Sequence, residues 1–297
     1  MRAARARLSG GRWHFQHGPI DIVIGAEGDA AGVDAAHDAA WSRFETVLDE
    51  LVAELPALRS RVVGPCPLRG RIAQRMWWAC RPHQAQFITP MAAVAGAVAQ
   101  ELIAAYARPG VRRAWVNDGG DIALHLVPGT QVRVGLFADL ARFDPAQSAV
   151  HTDGHFDVLA ADPVRGIATS GWRGRSLSLG IADSVTVLAG TASEADAAAT
   201  VIANAVDADD ARIRRRPANE VRDDSDLGEI AVVVDVPHLP VGVVRLALQR
   251  GSRCAHELQR AGLIHAAVLV CQQQALRVEA LRSLHCAARA EVGSVFA

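Results

Sequence analysis

The sequence predicts an α+β fold with antiparallel strand pairs, on three observations. Segments of helical and of alternating periodicity interleave without the regular period of a barrel or a doubly wound sheet. Strand-like segments follow one another across a glycine turn, as on either side of Gly119-Gly120. The composition, 50% hydrophobic and 21% charged, is that of a globular chain rather than a disordered one.

His14 to Ala26 alternates as a strand, with Ile20, Ile22 and Ile24 on one face. From Val33 to Leu55 apolar residues fall at Ala40, Phe44, Val47, Leu48 and Leu51, a helical spacing that Pro56 stops. Gly64 to Gly70 reads as a loop. Thr89-Pro90 has the form of a helix start, a hydroxyl cap before proline, and Pro109-Gly110 closes that helix. Gly96 inside it costs about 1 kcal/mol relative to alanine, which implies that another backbone approaches closely there.

Val111–Val116 and Ile122–Val127 read as strands, and shorter ones are expected near residues 131–137, 166–169 and 177–188. A helix is predicted from Glu194 to Val206, opened by Ser193. Asp207 to Leu227 is a polar connector. Ile230–Val236 and Val243–Leu248 are strand-like, Ala261–Leu269 is apolar, and Gln272–Ala290 has a helical pattern. No internal repeat divides the chain, so residues 1–297 are expected to form a single domain.

Charge and cysteine usage exclude several function classes. A net charge of −1 and a pI near 6.8 do not suit a nucleic-acid binder, which needs clustered cations. The basic run Arg212–Arg216 lies between acidic residues and reads as a solvated loop. There is no lysine, which rules out Schiff-base chemistry and a Walker-type phosphate lysine. The 5 cysteines form no CxxC, so neither a disulfide framework nor a structural zinc site is expected. No apolar stretch is long enough for a signal peptide or a membrane span, which makes the cytoplasm the expected location.

Four segments could carry chemistry. In Asn117-Asp118-Gly119-Gly120-Asp121 the paired glycines allow either a ligand-cradling turn or an ordinary hairpin. Thr169-Ser170-Gly171 ends a strand in two hydroxyls and a glycine, donors suited to phosphate. Asp196 and Thr200 lie four apart and share a helical face, where a carboxylate and a hydroxyl suit Mg²⁺. Ser193 and Asp196 equally fit a capping box, so spacing alone leaves both readings open. The run Asp223-Asp224-Ser225-Asp226 reads as solvated surface. His151 and His155 flank a turn-like stretch and are expected in a polar loop rather than at a metal. Trp77-Trp78 read as core or interface aromatics.

Taken in order, the NDGGD, ATSG and ADAAAT segments resemble the ApbE (FAD:protein FMN transferase-like) superfamily. The GRSLSLG run at 174–180, the DSDLG run at 224–228 and the stretch GLIHAAVL resemble its compact, uncharacterised branch, protein family 0280. The resemblance implies an ApbE-like α+β fold of mainly antiparallel sheets with packed helices. It also implies Mg²⁺ and a flavin nucleotide ligand, FAD or FMN. By motif, Asp196 and Thr200 would be metal ligands. Asn117, Gly119, Gly120 and Asp121 would line the ligand pocket, with Thr169, Ser170 and Gly171 near the phosphates. Flavin transferases cleave the FAD pyrophosphate and pass FMN to a threonine. Some relatives in the compact branch are linked to homocysteine formation, which leaves a non-catalytic or accessory role as the alternative. The fold requires neither nucleic acid nor membrane, and it allows a homodimer.

The chain departs from the transferases at their H-x-x-D-P segment. Aligning its aspartate with Asp183 puts Gly180 in place of the histidine and Ser184 in place of the proline. Asp183 is then the candidate catalytic residue, as base or metal ligand.

Overall fold

The computed structural model describes residues 2–136 and 154–279. The chain starts with strands β1 (Ala4–Arg7), β2 (Trp13–His17) and β3 (Ile20–Gly28), then helices α1 (Ala30–Ala53), α2 (Leu55–Leu58), α3 (Arg71–Cys80) and α4 (Val94–Ile103). Strands β4 (Val111–Asp118), β5 (Asp121–Leu126), β6 (Gln131–Leu136), β7 (Gly154–Leu159), β8 (Gly166–Ser170) and β9 (Ser184–Ala189) follow, leading into α5 (Ala192–Ala205). The last third holds β10 (Arg214–Pro217), α6 (Ala218–Val221), β11 (Ala231–Asp235), α7 (Val241–Arg260), β12 (Ala266–Cys271) and β13 (Gln274–Val278).

Among the described residues, 9 strands form one sheet in the order β1-β2-β3-β4-β5-β8-β9-β12-β13. Every neighbouring pair in it is antiparallel. The predicted α+β class with mainly antiparallel sheets is what the chain adopts. β6–β7 and β10–β11 are separate two-stranded ribbons.

Three clusters of buried side chains hold these layers together. Phe15, Phe44, Met76 and Tyr106 centre the core where α1, α3 and α4 pack on β2–β4. Val187, Ile202, Leu248 and Leu269 centre the core under α5 and α7. α5 serves both, sending Ala197 and Val201 to the first core and Ala198 and Ile202 to the second. On the other face, Ile122, Leu124, Val134 and Phe156 seat the β6–β7 ribbon.

The expected backbone approach at Gly96 is present. A Cβ there would lie 2.3 Å from the Ala192 carbonyl oxygen and 2.9 Å from Asp196 Cβ, so α4 and α5 touch at a spacing only glycine permits.

Several elements differ from the expectation. His14–Ala26 is two strands folded at Gly18, which has φ +59°. The unpredicted α3 buries Ile72, Met76 and Trp77 and leaves Trp78 60% exposed. The region 177–188 is strand only from Ser184 onward. The connector contains β10 and α6, and its arginines pair locally, Arg212 with Asp210, Arg215 with Asp207 and Arg216 with Glu220. Val243–Leu248 lies inside α7, where Val244, Ala247, Leu248, Gly251 and Ala255 are the buried face at helical spacing.

Gln272–Val278 is a turn and a strand rather than a helix: Gln272 and Gln273 take φ +44° and +66°, closing the β12–β13 hairpin. His155 lies on β7, whereas His151 and the remainder of the predicted C-terminal helix fall outside the described residues.

Candidate functional site

The NDGGD segment is a two-residue hairpin. β4 ends at Asp118, β5 begins at Asp121, and the two are cross-strand partners. Gly119 and Gly120 have φ +64° and +113°, conformations that favour glycine. The Asn117 Oδ1 accepts a hydrogen bond from the Gly120 N–H at 2.8 Å and locks the turn. The ordinary-hairpin reading is therefore right about the backbone.

Its side chains are unusual. Directly opposed like charges destabilise a strand pair, yet Asp118 and Asp121 face each other at the sheet's end. Burial, and then the nearby Asp121, push the Asp118 carboxyl up to about 8. It accepts a hydrogen bond from the Asp21 N–H. Burial and then Asp196 hold Asp121 well above the usual carboxylate range, although it accepts a hydrogen bond from the Thr169 N–H at 3.1 Å. The hairpin, the ATSG strand end and α5 thus converge at Asp121.

α5 does not use Asp196 as its own cap. The N-cap is Thr191, whose Oγ1 accepts from the Glu194 N–H and donates to the Glu194 carboxylate at 2.8 Å. The Ser193–Asp196 capping box is accordingly absent, and Asp196 is free to point elsewhere. Its Oδ2 accepts from the Gly96 N–H at 2.9 Å, and the carboxylate also bonds the Ala95 N–H, so Asp196 caps the first turn of α4. The residue is half-buried. Burial raises it to about 7 despite those donors, with Asp118 adding to the rise. Thr200 follows one turn later, also half-buried.

Two neighbours escaped the sequence reading. Asp226, placed there in a solvated run, accepts a hydrogen bond from the Thr89 hydroxyl. The Thr89 side chain makes no cap bond to its own helix. The buried Cys80 thiol, raised by burial, also feels both Asp196 and Asp226, which puts the two carboxylates near it. Only the DSDLG run's likeness to the compact branch could have singled out Asp226.

Arg175 also enters. Its Nη2 is 4.0 Å from Asp118 Oδ1, and a Cβ on Gly119 would sit 1.7 Å from that nitrogen, so the guanidinium lies against the glycine turn. The arginine-bearing run 174–180 signalled the family without marking this residue.

Asp183 stands apart. It precedes β9 by one residue, three positions before Thr186, whose hydroxyl lies 2.9 Å from that of Thr169. At about 3.3 Å per residue, Asp183 is roughly 10 Å along the sheet from the Thr169 row. Its Oδ1 accepts from the Trp172 indole at 3.2 Å and its Oδ2 from the Gln272 N–H at 2.5 Å, with Arg173 3.5 Å away. The carboxylate thus pins the left-handed Gln272–Gln273 turn. Gly171 packs against its main chain, where a Cβ would meet the Asp183 carbonyl oxygen at 2.4 Å. Thr169-Ser170-Gly171 therefore runs from the carboxylate group toward Asp183, which the structure leaves outside it.

At Gly180 a Cβ would meet the Ala203 carbonyl oxygen at 2.2 Å and that of Val206 at 2.7 Å. The C-terminal turn of α5 occupies that space, so this backbone admits no histidine.

Among the described residues, no three His, Cys, Asp or Glu side chains are arranged to enclose a metal ion, and no helix is long and apolar enough to cross a membrane. On the outer sheet face, Trp115, Asn117, Ile122, Leu124 and Val134 line a solvent-open groove with about 360 Å³ of empty space.

Comparison with known proteins places the chain. The family model described as AbpE bacteria matches residues 5–279. A UPF0280 protein of Methanopyrus kandleri is 36% identical over 219 residues, covering 72% of this chain and 83% of its own. A UPF0280 protein of Methanosphaerula palustris is 35% identical over 198 residues, 66% of this chain and 77% of its own. Among solved structures, the apo flavinyl transferase ApbE of Pseudomonas stutzeri aligns over 94% of both chains at 13% identity, with a TM-score of 0.43. The chain belongs to the family described as AbpE bacteria and, with its archaeal relatives, to the compact UPF0280 branch.

Proposed function

We propose that the chain binds a flavin or related pyrophosphate nucleotide together with Mg²⁺ at the junction of the β4–β5 hairpin, the end of β8 and the start of α5. One observation carries this reading: the carboxyl groups of Asp118, Asp121 and Asp196 lie near enough to repel one another, and that repulsion adds to burial in raising them. Such a group is stable when protonated or when a cation joins it.

The donor set fits a hard divalent ion. Asp121 and Asp196 would supply carboxylate oxygens and Thr200 a hydroxyl. Two carboxylates leave positions for water and for the ligand's phosphate oxygens. A bound Mg²⁺ would stabilise the charge that develops when a pyrophosphate is cleaved.

The protein's own contribution is positional. Gly96 brings α4 against α5 and so holds Asp196 toward the hairpin. The Thr169 N–H fixes Asp121, and open space lies beside Gly120, next to the Arg175 guanidinium on Gly119. FMN transfer or FAD pyrophosphate cleavage is the reaction this ligand set suits. The packing at Gly180 favours a second reading, a flavin-binding or accessory protein without turnover, because the base that the transferases' motif supplies has no room here.

Incubation of the pure protein with FAD and MgCl₂ separates the two. AMP release above an Asp196→Asn control of unchanged melting temperature supports the enzyme. Tight FAD binding without AMP supports the binding protein, and absence of FAD binding by calorimetry rejects both.

A further inference from the structure

Among the described residues Arg175 is the cation that lies against the hairpin, and its pairing with Asp118 is loose. Its guanidinium rests against Gly119, yet its approach to Asp118 is 4.0 Å, beyond hydrogen-bond length. Among the described residues that guanidinium forms no hydrogen bond, and the side chain is 64% exposed. The backbone beneath it is fixed, because Arg222 Nη2 donates to the Arg175 carbonyl oxygen at 2.9 Å. That bond ties the main chain of the loop while the side chain stays largely exposed. Arginine forks suit phosphate, which they bind through two parallel N–H donors, and no lysine anywhere in the chain could substitute.

We infer that Arg175 is the phosphate-recognising residue of this site. It would receive the phosphoryl group of a nucleotide whose other phosphate oxygens reach the cation held by Asp121 and Asp196. Arg222 is then the positioning residue that keeps it over the glycine turn. The inference rests on the proposed ligand class and adds to it the group that recognises the anionic end. Arg175 also joins the connector to the site: the polar 207–227 segment supplies Arg222 to hold the clamp, and the following Asp226 bonds Thr89.

Calorimetry with MgCl₂ and four probes tests it: FAD, FMN, riboflavin and inorganic pyrophosphate. Arg175→Gln should weaken FMN, FAD and pyrophosphate about 10- to 100-fold, the range for a lost hydrogen bond to a charged group, and leave riboflavin unchanged. Arg175→Lys should fall between, because a point charge keeps attraction and loses the fork. Arg216→Ala, which removes the same charge from an exposed Glu220 pair, should match the unaltered protein.

Equal binding of FMN and riboflavin by the unaltered protein, or undiminished FMN binding by a folded Arg175→Gln, overturns the role of Arg175 and leaves the flavin reading standing. Pyrophosphate binding that depends on Arg175, with no flavin binding, upholds the clamp and rejects flavin as the ligand. Binding of none of the four probes rejects both.

Discussion

Gly96→Ala tests whether the site depends on contact between α4 and α5. Considered as an isolated helix, the substitution should stabilise by about 1 kcal/mol. In the folded chain the new methyl would stand 2.3 Å from the Ala192 carbonyl oxygen, 2.7 Å from its carbon and 2.9 Å from Asp196 Cβ. These are largely backbone atoms of α5 that no side-chain rotation can move. Restoring a normal contact near 3.3 Å requires the helices to part by roughly 1 Å, and overpacking of this kind costs about 1–3 kcal/mol.

The same movement stretches the 2.9 Å bond from the Gly96 N–H to Asp196, and a hydrogen bond to a charged group contributes about 1.5–3 kcal/mol. Set against the helix gain, a net loss of about 2–5 kcal/mol is expected in urea unfolding. Mg²⁺-dependent FAD affinity should fall at least tenfold, because the displaced carboxylate belongs to the site. Gly242→Ala serves as the control: nothing lies within 4 Å of a Cβ there, so it should be neutral or stabilise by up to about 1 kcal/mol. A Gly96→Ala protein as stable as the original, with unchanged affinity, would refute the close-contact argument and the placement of Asp196 with it.

Three further outcomes are expected. His83 is buried and held neutral, its pKa lowered to about 4 by burial. Unfolding raises it toward 6.5, so the unfolded chain binds the extra proton and stability drops as pH falls from about 6.5 to 4, by up to about 3 kcal/mol; His83→Gln should flatten that part of the urea-measured pH profile. Thr191→Ala removes the α5 cap, which accepts from the Glu194 N–H, and should cost about 1 kcal/mol in the same unfolding assay. Asp183→Ala strands the Gln272 N–H and the Trp172 indole and should cost about 1–3 kcal/mol, with faster amide exchange in the β12–β13 turn. Asp183→Asn, whose single amide oxygen can keep one of those two bonds, should keep any AMP release within tenfold; a loss of a hundredfold in a folded protein would make Asp183 the base.

How much of this was legible depended on where each signal lay. The apolar spacing of α1 and the glycine pair of the hairpin are local patterns with local causes, and they could be read directly; the glycine inside α4 is a local mark of a distant contact, with α5. The segments NDGGD, ATSG and ADAAAT were found as separate pieces. That Asp121 accepts from the Thr169 N–H and that Asp196 lies beside it are facts of packing. Asp226 was mistaken for solvent-facing charge because nothing in a run of acids reveals a threonine hydroxyl 137 residues away. α7 was misread at Val243–Leu248 because the β-branched pair Val243-Val244 favours a strand locally, while its buried face, Val244 to Ala255, is set by β12 and β13 beneath it.

The sequence by itself determined the α+β class, the family and the order of the motifs, since hydrophobic period, turn glycines and motif spacing are properties of contiguous residues. Only the tertiary structure decided that Asp196 caps α4 instead of its own helix, that Gln272 and Gln273 turn back with the Asp183 carboxylate bonded to the Gln272 N–H, and that Arg175 lies on Gly119. Each of these joins segments far apart in the chain. Their energies come from burial and from backbone donors that exist only once distant elements have packed, and no local pattern encodes them.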